Sequence, residues 1–275
     1  MRVRAKRKLR HGLACSVVGA LLAHAQVLAA GGGPAAVKLP DCRNAPCERA
    51  GSAQTSRGTS DSLPLLRLED GLRDLPAGWQ VITFRRRKPT QYEVVKVEDR
   101  IALRARANNS ASGLMRPVQF DPLSLPLLHW IWRAEASVPQ GNPTRKQADD
   151  YVTRLFVIFG DQRGGPAMMP SLTKQRTLCY VWSSNKLRPE SMFTSPYVKN
   201  VKMLAIRSGN EAAGRWVDER RDLRADFRRA FGEQPGDVLG VALMTDTDNT
   251  KGEATAYYLS IEALAVPTLT QQGER

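Results

Sequence analysis

The chain has 275 residues, 42% hydrophobic and 7% aromatic, with 41 Lys and Arg against 27 Asp and Glu. This composition excludes a wholly disordered chain and a collagen-like repeat. A single apolar stretch near spanning length excludes a polytopic membrane protein. The formal charge of +14 comes without a helix-turn-helix, zinc-finger or RNA-binding signature, so nucleic acid is not an expected partner.

Residues 1–11 (MRVRAKRKLRH) hold six Lys and Arg and no acid, and residues 12–23 are apolar. Ala23-His24-Ala25 then offers an A-x-A-like cleavage site. This layout predicts a signal peptide over residues 1–30. It implies a periplasmic or secreted protein with no membrane span after signal cleavage. Removing six positive charges leaves 35 Lys and Arg against 27 acids, a net of +8, with His129 as the last histidine. Residues 31–62, rich in Gly, Ser, Ala, Pro and Thr, read as a flexible linker. Residues 63–267 read as one domain and 268–275 as a polar tail. Export means an oxidising compartment. Cys42 and Cys47 enclose a short loop suited to a local disulfide, whereas Cys179, inside LCYVW, reads as a buried, inert thiol.

Within the domain, short runs of β-formers are broken by Gly, Pro, Asn and Asp. In chain order the predicted strands are Trp79–Phe84, Tyr92–Val97, Ile101–Ala107, Met115–Phe120, Leu127–Val138, Tyr151–Phe159, Thr177–Trp182, Val201–Arg207, Val238–Thr245 and Thr255–Ala263. A helix is predicted over Asp222–Phe231, with Leu223, Phe227 and Phe231 on one face and Gly232 as its stop. A shorter helical turn is expected at Leu72–Leu75. Many strands and little helix predict an all-β fold, a two-sheet antiparallel sandwich of jelly-roll-like type.

The strings DDYVTRLFVIFG (149–160), TLCYVW (177–182), AIRSG (205–209), GRWVDERRDLRADFRRAFGE (214–233) and VALMTDTDNT…AYY (241–258) occur together. As a set they resemble an uncharacterised family of exported proteobacterial β-rich proteins. Its most specific mark is the Met-Thr-Asp-Thr-Asp-Asn-Thr segment, here residues 244–250. The resemblance covers roughly residues 63–265 and implies export and one β-rich domain, with no activity or catalytic residue carried over. Lys251 departs from it, since such proteins often continue with Gly there.

Asp246, Asp248 and Asn249 end the apolar run VALMT, and by strand parity Asp246 and Asp248 share a face. Two carboxylates and an amide oxygen suit a hard cation such as calcium, with Asp246 and Asp248 as ligands. They equally suit an Asx-type turn. Asp149, Asp150 and Arg154 open the longest apolar strand, where they would grip a polar ligand or pair with one another. Trp130 and Trp132 alternate with polar neighbours and read as core, leaving Arg133 and Glu135 to line any groove on that sheet. Tyr180 and Trp182 share a face with Leu178 and so read as core as well as ligand-binding; with Arg207, which has the reach to meet a ligand or the Asp246/Asp248 carboxylates, they complete the candidate ligand set.

With His129 the only histidine of the mature chain, a His-based zinc site is improbable. No Gly-x-Ser-x-Gly elbow is present, and a Cys179–His129 dyad is conceivable only on paper. These readings favour an exported non-enzymatic sandwich that binds a carbohydrate or another polar cell-envelope ligand, with calcium as an optional cofactor. The alternatives are a hydrolase or lyase acting on a glycan through paired carboxylates or bound calcium, and a structural envelope protein that binds other proteins.

Overall fold

A computed structural model describes residues 61–160, 174–184 and 186–266. The predicted signal peptide, the Cys42/Cys47 loop, nearly all of the linker and the tail lie outside these residues. The strands are β1 (Ser62–Leu66), β2 (Gln80–Thr83), β3 (Gln91–Val97), β4 (Arg100–Asn108), β5 (Ala111–Phe120), β6 (Leu127–Ala134), β7 (Thr153–Gly160), β8 (Arg176–Ser183), β9 (Met192–Thr194), β10 (Val201–Ser208), β11 (Val217–Asp222), β12 (Asp237–Asp246) and β13 (Glu253–Leu264), with one α-helix, α1 (Leu223–Phe231). Among the described residues no helix is long and apolar enough to cross a membrane.

The strands form two facing sheets. The six-stranded sheet runs β11-β6-β13-β4-β3, with β1 on the distal half of β13. The seven-stranded sheet runs β2-β5-β12-β7-β8-β10-β9. Successive strands cross between sheets at β1–β2, β2–β3, β4–β5, β5–β6, β6–β7, β10–β11, β11–β12 and β12–β13, the habit of a jelly roll. Pairing is antiparallel except for β8–β10, and β9 closes that edge antiparallel to β10.

Side-chain alternation decides which face is buried. On β6, Leu128, Trp130, Trp132 and Ala134 point inward, as the sequence pattern requires. Trp130 stacks on Tyr180 at 5.1 Å between ring centroids, and Trp132 lies 6.3 Å from Trp182 across the sandwich. Each such ring contributes about 1.5–3 kcal/mol by burial alone. Helix α1 covers one end of the core through Leu223, Phe227 and Phe231, with Phe227 4.7 Å from Phe159. Asp222 caps it, accepting from the N–H groups of Arg224 (2.9 Å) and Ala225 (3.0 Å). Gly232 ends it at φ 75°.

Three strands escape the sequence pattern. β1 contains Pro64, which a sheet tolerates only at an edge or a bulge, and the β1–β13 register does shift between Pro64 and Leu66. β9 has three residues, and β11 (VDERRD) is mostly charged and pairs along one side only, with β6. The helical turn expected at Leu72–Leu75 is not formed. Gly71 at φ 82° and Pro76 bracket that segment, and Leu75 is drawn against the core.

Candidate functional site

Six of the predicted residues meet at one end of the seven-stranded sheet. Asp149 and Asp150 precede β7, Arg154 lies on β7, Asp246 ends β12, and Asp248 and Asn249 follow in the turn to β13. The ladder sets Met244 opposite Arg154. The N–H of Asp246 donates to the Tyr151 carbonyl at 3.2 Å, and the N–H of Thr247 to Ser110 O at 3.0 Å. Asp150 organises the turn: its Oδ1 accepts from Asn249 N (3.2 Å) and Nδ2 (3.1 Å), and its Oδ2 from Thr250 N (2.6 Å). Lys251 closes the turn at φ 62°, in the left-handed region that favours glycine. That is a physical reason for the Gly expected there. Its ammonium donates to the Asp248 main-chain carbonyl at 2.6 Å.

Arg154, 3% exposed, ties the cluster together. Its Nε and Nη2 donate to Asp246 Oδ1 at 2.9 Å and Oδ2 at 2.5 Å, and its Nη1 to Asp149 Oδ2 at 3.4 Å. Nη2 also donates to the Asp149 carbonyl, and the guanidinium sits 4.3 Å from the Tyr151 ring centroid. From the loop before β3, Arg87 Nε faces Asp248 Oδ2 at 3.1 Å. Burial pushes the carboxyl of Asp149 up to about 6 against the pull of Arg154. Burial likewise raises Asp246 well above the usual carboxylate range, and Asp248 with it; Arg154 and Arg87, respectively, are their main counterweights. Asp150, Asp246 and Asp248, all buried, each bring a carboxylate oxygen within 4.8 Å of the others.

A polar cleft lies on the solvent face of the six-stranded sheet. Lys88, Gln91, Arg106, Asn108, Glu253 and Thr255 line a space of about 200 Å³. The ladders place Gln91 opposite Arg106 and Arg106 opposite Thr255, so their side chains share one face. Asn108 Nδ2 donates to Glu253 Oε1 at 2.6 Å. Among the described residues Lys88, Gln91 and Arg106 make no side-chain hydrogen bond or ion pair. Two residues further along the same face, Tyr257 lies 6.2 Å from Trp216. Arg133 stands 5.7 Å from the Tyr257 ring, and Arg100 stands 5.8 Å from that of Trp216. The outer face of the other sheet is different: Phe84, Met115, Phe156, Met203 and Met244 bound an almost wholly apolar groove of about 40 Å³.

The profile of proteins of unknown function named DUF3047 matches residues 77–262. The chain belongs to that family. The resemblance drawn from the sequence strings agrees with this, and no curated protein matches the chain. Among solved structures, it is similar to a family 11 carbohydrate-binding module of a cellulosomal cellulase from Clostridium thermocellum: 9% identity, TM-score 0.41, covering 75% of this chain and 96% of that one. The carbohydrate recognition domain of Emp47p is 14% identical at TM-score 0.39, covering 78% and 100%. The xyloglucanase domain of NopAA from Sinorhizobium fredii is 10% identical at TM-score 0.38, covering 70% and 95%. At TM-scores of 0.41 and below, these likenesses carry no argument about a ligand.

The remaining predicted residues lie elsewhere. Tyr180 and Trp182 face the core, 0% and 1% exposed, so the reading of them as ligand-binding is corrected. The Tyr180 hydroxyl donates to Asp226 at 3.0 Å, and Trp182 Nε1 to Gly209 O at 2.9 Å. Arg207 does not reach Asp246 or Asp248: its Nε and Nη2 donate to Glu219 at 2.7 and 3.2 Å, joining the two sheets. Arg133 and Glu135 do lie on the outer sheet face, in an ion-pair row with Glu98 at 2.9 and 3.1 Å. A Cys179–His129 dyad is excluded. His129 sits on the outer face of the six-stranded sheet between Asp218 and Glu262, whereas Cys179 is buried in the other sheet, where burial pushes its thiol far up. Sequence reading missed Arg87 and the cleft. Arg87 stood in the run Arg85–Lys88, and the alternation Arg104, Arg106, Asn108 along β4 was the available signal for a polar face.

Proposed function

We propose that the chain is an exported, polysaccharide-binding protein whose ligand lies across the solvent face of the six-stranded sheet. The observation that carries this reading is the polar cleft itself. Its donors and acceptors alternate: Lys88 and Arg106 donate, Glu253 accepts, and Gln91, Asn108 and Thr255 do both. Sugar hydroxyls need this mixed set, and buried area alone does not supply specificity. The Tyr257–Trp216 pair beside the cleft offers apolar ring surface for a second sugar residue. The groove on the opposite sheet is almost wholly apolar and, at about 40 Å³, smaller.

Affinity gel electrophoresis of the purified protein in neutral and in acidic polysaccharides tests the reading. At least one polymer is expected to retard the protein, and Arg106→Ala combined with Gln91→Ala to abolish most of the retardation. A protein that migrates unretarded in every polymer, or a double variant retarded as strongly as the parent, overturns it. Export is supported by the basic start, the apolar run and Ala23-His24-Ala25. N-terminal sequencing of the protein from the envelope fraction tests this part, and an intact Met1 there counts against cleavage.

A further inference from the structure

We propose that Asp150, Asp246 and Asp248 hold one calcium ion at the end of the seven-stranded sheet. This proposal stands apart from the glycan reading, and either survives the failure of the other. The three carboxylates each bring an oxygen within 4.8 Å of the other two. Oxygens coordinated to calcium at about 2.4 Å lie no further apart than about twice that distance. The donors are hard oxygens only, with no His or Cys among them, which selects calcium over zinc or copper.

A second observation marks the interior of the cluster as unfinished. Asp248 is 1% exposed, yet neither of its carboxylate oxygens has a hydrogen-bond partner in another residue. Its Oδ2 faces Arg87 Nε at 3.1 Å, and its Oδ1 makes no hydrogen bond. A buried carboxylate oxygen in that condition carries a heavy desolvation cost. The neighbouring hydroxyls of Thr247 and Thr250 are also unpartnered. Asp150 and Asp246 retain capacity beyond their present bonds, because an ionised carboxylate offers about four lone-pair sites. Charge points the same way. Four buried carboxylates (Asp149, Asp150, Asp246, Asp248) face two guanidiniums, Arg154 and Arg87. Even with the Lys251 ammonium at the Asp248 main-chain carbonyl, acidic groups outnumber basic ones in the cluster, which favours a bound cation. Arg87, with 23% of its side chain exposed, is the cation that Asp248 already faces.

Isothermal titration of Ca²⁺ into the chelator-treated full chain tests the proposal, with Asp248→Asn and Arg87→Ala measured beside the parent and circular dichroism confirming the fold of each. The parent should bind one ion per chain. Asp248→Asn should weaken binding at least about tenfold, and Arg87→Ala, which removes the competing cation, should bind no more weakly than the parent. No uptake by the parent at millimolar Ca²⁺, unchanged affinity in a folded Asp248→Asn, or weaker binding in Arg87→Ala each overturns the proposal. If Asp248→Asn fails to fold, the parent and Arg87→Ala decide by the same criteria.

Discussion

Replacing Arg154 by Met should expose how the acidic cluster is balanced. Arg154 gives both oxygens of Asp246 their partners, at 2.9 and 2.5 Å, and is the ion-pair partner of Asp149 at 3.4 Å. Met fills similar volume but leaves two buried carboxylates uncompensated. Breaking a buried pair from one side costs about 3–5 kcal/mol, a large share of the roughly 5–15 kcal/mol that holds a domain folded. The pH dependence adds a signature that lost packing would not produce. With its carboxyl at about 6 in the folded chain and about 3.9 unfolded, Asp149 binds its proton more tightly when folded. Stability from this group is therefore present at acid pH and is lost as pH rises from about 4 to about 6, by up to roughly 3 kcal/mol. Asp246, also raised, acts in the same direction. Without Arg154 to oppose burial, both carboxyls move further up, so the variant should recover stability on acidification over a window reaching closer to neutral. Urea unfolding followed by the fluorescence of buried Trp130, Trp132 and Trp182, at about pH 7 and about pH 5, measures both effects. Adding Asp246→Asn should restore part of the loss at neutral pH. A loss below about 1 kcal/mol at neutral pH, or a pH slope equal to that of the parent, refutes the reasoning.

Two further substitutions test the packing beside Asp150 and the cap of α1. A methyl group on Gly141 would stand 2.7 Å from Asp150 O and 3.0 Å from Val138 O, both backbone atoms; Gly141→Ala should cost about 1–3 kcal/mol and lower the melting temperature, and an unchanged melting curve would show that the segment yields freely. Asp222→Ala removes the acceptor that holds the N–H groups of Arg224 and Ala225 and should cost about 1 kcal/mol in urea titration, with a loss near zero meaning that water caps α1 as well.

Much of the fold was legible because burial in a sandwich writes itself as alternation. Trp130 and Trp132 were assignable to the core from the polar residues between them, and α1 from Leu223, Phe227, Phe231 and the stop at Gly232. β11 left no such trace: β6 is its only strand partner among the described residues, and its charged side chains are met by others, Glu219 by Arg207 and Arg221 by Asp226 and Glu190. Tyr180 and Trp182 show the limit of a single-strand reading. Their strand is buried on both faces, so parity names two faces without saying that either is open.

The sequence by itself determined the leader-like start, the β-rich class, the inward face of most strands and the helix with its stop at Gly232, because each rests on a local pattern of charge, hydrophobic period or turn residue. The convergence of Asp149, Asp150 and Arg154 with Asp246 and Asp248, some ninety residues away along the chain, was decided by the β7–β12 ladder alone. The cleft was decided by a different pairing, that of β3, β4 and β13, which brings Gln91, Arg106 and Thr255 into register. Long-range pairing sets such distances, and no local pattern encodes which strand will lie beside which.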